Sequence, residues 1–303
     1  MQRRHVLLSS MAALALSTTA STLMTSWAAP IAARAPRVIV LDWGLAETLL
    51  ALGIPPAGMA EVSDYRANVV APTVPDEVVD VGLRLAPSLE LMAQLAPDLI
   101  LINSSQESQR AVLEQIAPVK AFAIYTDGGH PYRRSEEVTR ELGALLGREA
   151  AAQTLITRTA NALESDRKYI EAFPLAEQRR PIYVFRFFDA GHVGVYGAKS
   201  LIDDVLGALA LGNAWQGHTD YWGIGVAPLE ALGTVPTANL LCFAPLPLGG
   251  LRRLSENRLW NALPAVAHSR VAMLGPFWAF GMLPSARRLS AMLTNAHNVL
   301  EST

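Results

Sequence analysis

Residues 148–173, REAAAQTLITRTANALESDRKYIEAF, decide how this chain is organised. The stretch contains neither Pro nor Gly, is rich in Ala, Leu, Thr, Arg and Glu, and stops at Pro174, which predicts one uninterrupted helix. At 1.5 Å per residue it would extend about 39 Å, longer than an ordinary connection within a domain. A single long helix between two bodies resists large hinge motion, where two or three flexible strands would permit it. The other reading open to the sequence is a crossover helix packed on one body alone.

The flanks of that helix echo each other. Upstream, Val38-Ile39-Val40-Leu41 reads as a strand, and Ala46 to Leu52 as a helix closed by Gly53 and Pro55-Pro56. Ala86-Pro87-Ser88-Leu89-Glu90-Leu91 then opens a helix, and after Pro97 the run Leu99-Ile100-Leu101-Ile102 reads as a buried parallel strand. Downstream, Ile182 to Phe185 is a strand and Ser200 to Leu211 a helix. Ala227-Pro228-Leu229-Glu230-Ala231-Leu232 repeats the Pro, Leu, Glu register ahead of the buried run Leu240 to Phe243. The fold class is therefore α/β: two similar lobes with central, mostly parallel sheets, joined by one long helix. The expected boundaries are residues 30–147 for the first lobe, 148–174 for the helix and 175–303 for the second lobe.

Residues 1–29 read as an address. Arg3 and Arg4 precede a stretch from 11 to 29 without charge, ending Ser26-Trp27-Ala28-Ala29, the layout of a cleavable export signal; the Arg pair fits a twin-arginine signal. A membrane anchor is the alternative, but Ser, Thr and Ala outnumber Leu and Ile in the stretch. Cleavage leaves 23 basic against 27 acidic side chains, a net charge of −4. The expectation is a periplasmic protein.

Composition narrows the functions. With 303 residues, 51% hydrophobic and 17% charged, the chain can fill two cores. Its Lys and Arg are scattered, which argues against nucleic acid as a partner. Cys242 is the single cysteine, so disulfide frameworks and multi-cysteine metal sites are excluded. No G-x-S-x-G, Walker-type, G-x-G-x-x-G or H-E-x-x-H motif occurs, and the six histidines are dispersed. Neither a catalytic site nor a bound metal or cofactor is expected.

Aromatic loops are the positive signal. Trp215 to Trp222 includes Tyr221, and Phe277-Trp278-Ala279-Phe280-Gly281 follows the strand Val271 to Leu274. Loops at the carboxyl ends of parallel strands line binding crevices, and Trp43 lies just past the first strand. Core packing is the alternative for any single Trp, and the better one for Trp260. Arg84 falls in a comparable loop, where its fixed donors suit a cluster of oxygens, although a surface ion pair is the plainer reading.

Five runs carry a resemblance that covers the whole chain: Leu49-Leu50-Ala51-Leu52-Gly53-Ile54, Asp80-Val81-Gly82-Leu83-Arg84, Asn213-Ala214-Trp215-Gln216-Gly217, Tyr221-Trp222-Gly223 and Leu241-Cys242-Phe243. The chain resembles the periplasmic ferric hydroxamate siderophore-binding proteins of ATP-driven iron importers, the long-helix class of substrate-binding proteins. That resemblance implies a shallow cleft in which Arg84 donates to hydroxamate oxygens and Trp215, Trp222 and Trp278 form an aromatic wall. Gln106 stands where the family has a tyrosine on the iron-bound oxygens, and can donate through its amide; Asn68 stands at an aromatic lining position. The resemblance also implies that an acidic residue on each lobe docks on an inner-membrane ABC permease, here Glu90 and Glu230, whose other reading is helix-terminus electrostatics. A monomer is expected. The alternatives are a receptor for another bulky chelate, namely a ferric catecholate, haem or cobalamin, and an exported enzyme whose nucleophile and base the sequence does not display.

Overall fold

The computed structural model describes residues 36–173, 180–246 and 250–301, so the export-signal expectation for 1–29 lies outside the described residues. Two five-stranded sheets form the framework. The first runs β3 (Val79–Asp80), β2 (Gly58–Met59), β1 (Val38–Val40), β6 (Leu99–Asn103), β7 (Val119–Phe122), every pair parallel. Its centre is apolar on both faces because helices cover both: Val38, Ile39, Val40, Ile100, Leu101 and Ile102 are all fully buried. Between β3 and β6, β4 (Gly82–Leu83) and β5 (Ala86–Pro87) make a small hairpin whose turn is Arg84-Leu85.

The second sheet runs β10 (Ile224–Pro228), β9 (His192–Tyr196), β8 (Ile182–Phe187), β11 (Asn239–Phe243), β12 (Val271–Leu274). Here β8, β11 and β12 are parallel, whereas β9 is antiparallel to both β8 and β10. The second sheet thus keeps the parallel centre that the sequence reading expects and adds two antiparallel pairings at one edge. The antiparallel edge has a local cause: Asp189 Oδ1 accepts from the backbone N–H groups of Gly191 and His192, closing the hairpin turn between β8 and β9.

The repeated Pro, Leu, Glu register is visible in both halves. Ser88 caps a helix over Leu89–Gln94, accepting from Leu91 N–H, while the second copy makes only a 3₁₀ turn over Leu229–Gly233. The expected helix at 227–232 is shorter because Ala227 and Pro228 still belong to β10 and Pro228 brings no side-chain cap.

The long helix spans Glu149–Glu171. Its buried residues Ala152, Leu155, Ile156, Thr159, Leu163 and Ile170 follow helical spacing. Leu155 and Ile156 sit in the core of the first sheet, and Ile170 in the core of the second. The last helix, Leu283–Glu301, runs against it and is divided the same way, with Leu283 in the first core and Leu289, Leu293 and Leu300 in the second. Both helices therefore serve two cores, which favours the bridging reading over a crossover on one body.

One buried carboxylate ties the first helix, Trp43–Ala51, to the last. Glu47 is fully buried and accepts from Met282 N–H, Ser285 N–H at 3.4 Å and Ser285 Oγ at 2.7 Å, filling the donor positions at the N-terminus of the last helix. Gly281 is required there: an added Cβ would lie 2.1 Å from Ser285 Oγ and 2.7 Å from Glu47 Oε1. Among the described residues no helix is long and apolar enough to cross a membrane.

Candidate functional site

A cavity of about 420 Å³ opens where carboxyl ends of strands from both halves meet. Asp42 follows β1, Asn103 ends β6 and Gln106 lies in the 3₁₀ turn that follows it, Arg84 occupies the β4–β5 turn, and Trp278 and Phe280 follow β12, with Trp222 just ahead of β10. Leu83 and Leu85, 60% and 72% exposed, form an apolar lip.

Arg84 is the organising residue. Its Cζ lies 4.2 Å from the Trp43 ring centroid and 4.8 Å from that of Trp278, so the guanidinium sits between two indoles. Its Nε donates to Glu61 Oε2 at 2.6 Å and its backbone N–H to Glu61 Oε1 at 3.2 Å. Its carbonyl accepts from Gln106 Nε2 at 3.0 Å and Gln109 Nε2 at 3.3 Å. The turn is therefore held on both sides of its backbone. Among the described residues no acceptor takes Arg84 Nη1 or Nη2, which leaves the outer edge of a planar, pre-oriented donor free to meet oxygens.

Local sequence explains this placement. Glu61 is a non-glycine residue in the left-handed region, φ 53°, and its N–H donates to Gly82 O. Gly82 itself has φ +93°. These two backbone choices fold the hairpin back over Glu61. Trp43 opens the first helix and donates Nε1 to Ala60 O at 3.0 Å, fixing the ring beneath Arg84.

Two carboxyl groups share the cavity with the single guanidinium. Asp42 caps the first helix by accepting from Leu45 N–H and also accepts from Asn103 Nδ2 at 2.6 Å. Burial pushes its carboxyl above the ordinary value, against those bonds and the nearby Arg84 charge. Among the described residues, no three His, Cys, Asp or Glu side chains come together as metal ligands.

The residues singled out in the sequence fall into distinct places. Arg84, Gln106, Trp222, Trp278 and Phe280 line the cavity. Trp43 is 2% exposed and lies behind Arg84 as a platform, 4.7 Å from Trp278 between ring centroids. Gln106 is buried, and its amide N–H groups are spent on Leu41 O and Arg84 O while its Oε1 accepts from Asn103 N–H, so it positions Arg84 with no donor left to offer. Tyr221 lines a small neighbouring recess and donates its hydroxyl to Tyr125 O, a bond between the two halves.

Trp215 is elsewhere. Its ring packs on Gly197, Gly217 and Gly225, where an added Cβ would come within 2.4–2.6 Å of it, and it lies at the fringe of a separate apolar cluster built on Tyr183, Phe185, Val193 and Val195 of the second sheet. Three side-chain-free positions make a slot for an indole against the second sheet. Glu90 and Glu230 are exposed, each in the first turn after its Pro. Glu61, Asp42 and Asn103 were not singled out in the sequence. Glu61 lies 23 residues from Arg84, and no spacing rule links a carboxylate to a turn formed by a later hairpin.

Comparison with known proteins bears on the family and the fold. The periplasmic binding protein family model matches residues 38–276. The iron(3+)-hydroxamate-binding protein FhuD of Escherichia coli is 31% identical over 260 residues, 86% of each chain. The structure of FhuD from Vibrio cholerae, a siderophore-binding protein with Fe3+-Desferal bound, superposes with a TM-score of 0.83 at 31% identity, covering 88% of this chain and 99% of that one. The triscatecholate siderophore-binding protein FeuA of Bacillus subtilis, at 16% identity and a TM-score of 0.67 over 88% and 94% of the two chains, shares the fold. With its two lobes, its long helix and its site at the strand ends, this chain belongs to the periplasmic binding protein family.

Proposed function

We propose that the protein is a non-catalytic receptor that captures iron(III)–hydroxamate siderophores in the periplasm and delivers them to an inner-membrane ABC importer. The single observation behind this reading is Arg84: clamped by Glu61, Gln106 and two indoles, it keeps its terminal N–H groups for a ligand in a cavity walled by Trp222, Trp278 and Phe280. Three hydroxamates cancel the charge of Fe(III), giving a neutral cage of oxygens inside an organic skirt. The metal arrives fully coordinated and is cargo, so recognition falls to donors aimed at the cage and apolar surface around the skirt. Each charge-assisted bond from Arg84 is worth about 1.5–3 kcal/mol. The likeness to the FhuD proteins, whose names state a hydroxamate ligand in one case and Fe3+-Desferal in the other, supports the same ligand class here.

The test is a titration of the protein lacking residues 1–29 with ferrichrome-type and linear ferric hydroxamates, followed by tryptophan fluorescence. Saturable quenching without chemical change of the chelate is expected. No quenching by any ferric hydroxamate, or turnover of the chelate, would overturn the reading.

Glu90 and Glu230 are assigned to permease docking. Both are exposed carboxylates at matching places in the two repeats. Reversing both charges, Glu90→Lys with Glu230→Lys, is expected to leave siderophore affinity within about twofold, because neither lines the cavity, and to reduce importer-dependent uptake at least about tenfold, on the order expected when the charge of a docking residue that pairs with an oppositely charged partner is reversed. Unchanged uptake would remove the assignment. Export through the residue 1–29 signal and a monomeric state belong to the same proposal.

A further inference from the structure

The cavity holds a strong donor but no surplus of positive charge, and that combination is the work of one residue. Among the described residues Arg84 is the only Lys or Arg that lines it, and Glu61 pairs with Arg84 through both carboxylate oxygens. Glu61 is itself well covered, its side chain 14% exposed, so the pair is not simply dissolved by solvent. Asp42, the remaining ionisable group on the cavity wall, is neutral or negative and never adds a positive charge. The donor edge of Arg84 therefore faces the ligand from a site whose formal charge is zero or below.

We propose that Glu61 is a specificity-determining residue: by neutralising Arg84 while leaving its outer N–H groups free, it admits neutral and cationic ferric hydroxamates and turns away polyanionic ferric chelates. This inference rests on the proposed hydroxamate function and refines it. The chemistry of the two ligand classes differs mainly in charge. Three singly charged hydroxamates cancel Fe(III), whereas three doubly charged catecholates leave the complex with three negative charges. Hydrogen bonds from a guanidinium would suit the oxygens of either cage. Only the electrostatic term separates them, and a partly desolvated carboxylate beside the guanidinium acts on a trianion three times over. Glu61 also positions Arg84, so its two roles have to be told apart by experiment.

The experiment measures dissociation constants of the wild-type protein, Glu61→Gln and Glu61→Asp for a ferrichrome-type hydroxamate and a ferric tris-catecholate, at low and high salt. The glutamine keeps an acceptor for Arg84 but removes the charge; the aspartate keeps the charge but shortens the reach. For Glu61→Gln the expected result is opposite changes: tris-catecholate affinity rises about tenfold or more, on the order of what losing one like charge beside a trianion gives, while hydroxamate affinity falls a few-fold. Glu61→Asp should weaken the hydroxamate with no gain for the catecholate. Loss of both ligands in Glu61→Gln with a lowered melting temperature would signal misfolding, and the decision then passes to the wild type. Its catecholate binding should hold or strengthen as ionic strength rises from about 0.02 to about 0.5 M, because screening weakens repulsion. A several-fold weakening with salt, or parallel changes for both ligands in a folded Glu61→Gln, would overturn the role of Glu61. If the wild type fails to bind the hydroxamate at all, the proposed function fails instead.

Discussion

Arg84→Ala is expected to lower the affinity for a ferric hydroxamate by about 100-fold or more. Two charge-assisted bonds from the free Nη groups account for about 3–6 kcal/mol, and about 1.4 kcal/mol is a factor of ten in affinity. Truncation also leaves the Glu61 carboxylate without its partner beside the ligand and opens a gap between Trp43 and Trp278. Arg84→Lys separates charge from shape. A lysine keeps the cation but offers a single point of donors, and cannot stack between the indoles while donating to both Glu61 and a ligand, so an intermediate loss is expected. Isothermal titration or fluorescence quenching measures both variants. Affinity of Arg84→Ala within about threefold of the wild type would remove Arg84 from the binding site.

The second large effect concerns stability. Glu47→Ala strips the acceptor from Met282 N–H, Ser285 N–H and Ser285 Oγ in a fully buried position, and is expected to cost about 3–5 kcal/mol in urea unfolding, since each buried donor left without a partner costs about 1–3 kcal/mol. A loss below about 1 kcal/mol would show that the last helix does not depend on this contact.

Glu47 also carries a pH dependence. Burial raises its carboxyl from the ordinary 4.5 to about 7, opposed by the bonds from Met282 and Ser285 and by the charge of Arg288. Tyr65 faces the same carboxylate, and burial pushes its hydroxyl well up, so it stays neutral throughout. The folded protein thus holds the Glu47 proton more tightly than the unfolded chain does. Its contribution to stability is fully present below about pH 4.5 and is lost as pH rises through about 7, on the order of 3 kcal/mol over that window. Glu47→Gln, which stays neutral, should flatten this part of the stability curve. Identical slopes for wild type and Glu47→Gln between pH 5 and pH 8 would contradict the assignment.

Much of this architecture is legible in the sequence because its signals are local. The Pro- and Gly-free run that ends at Pro174 reads directly as the helix over Glu149–Glu171, and Leu99 to Ile102 as a doubly buried strand. Gly53 with Pro55-Pro56 marks the end of the first helix; its start lies at Trp43, three residues before the apolar pattern, because Asp42 caps it. Strand direction in the second sheet was less legible. Burial is nearly continuous along β8 and β9 and does not distinguish parallel from antiparallel neighbours, and only the Asp189 turn decides.

The site divides in the same way. Arg84 and the aromatics at 222, 278 and 280 stand out by residue type and by position at strand ends. What an aromatic side chain faces depends on the partner across the fold. Trp215 shares its loop with Trp222, yet the glycines at 197, 217 and 225 draw its ring onto the second sheet. Gln106 shows the converse: a residue picked out as a ligand donor has its donors committed to Leu41 and Arg84. Glu61 carries no local signal, since its importance arises from a contact 23 residues away through a left-handed backbone turn.

The most direct measurement is a crystal structure of the protein with a ferric trihydroxamate bound. Arg84 Nη atoms should lie within about 3 Å of hydroxamate oxygens, the organic part of the chelator should rest against Trp222, Trp278 and Phe280, and every iron ligand should come from the siderophore. A chelate seated away from Arg84, or an iron atom coordinated by a side chain of the protein, would contradict that picture.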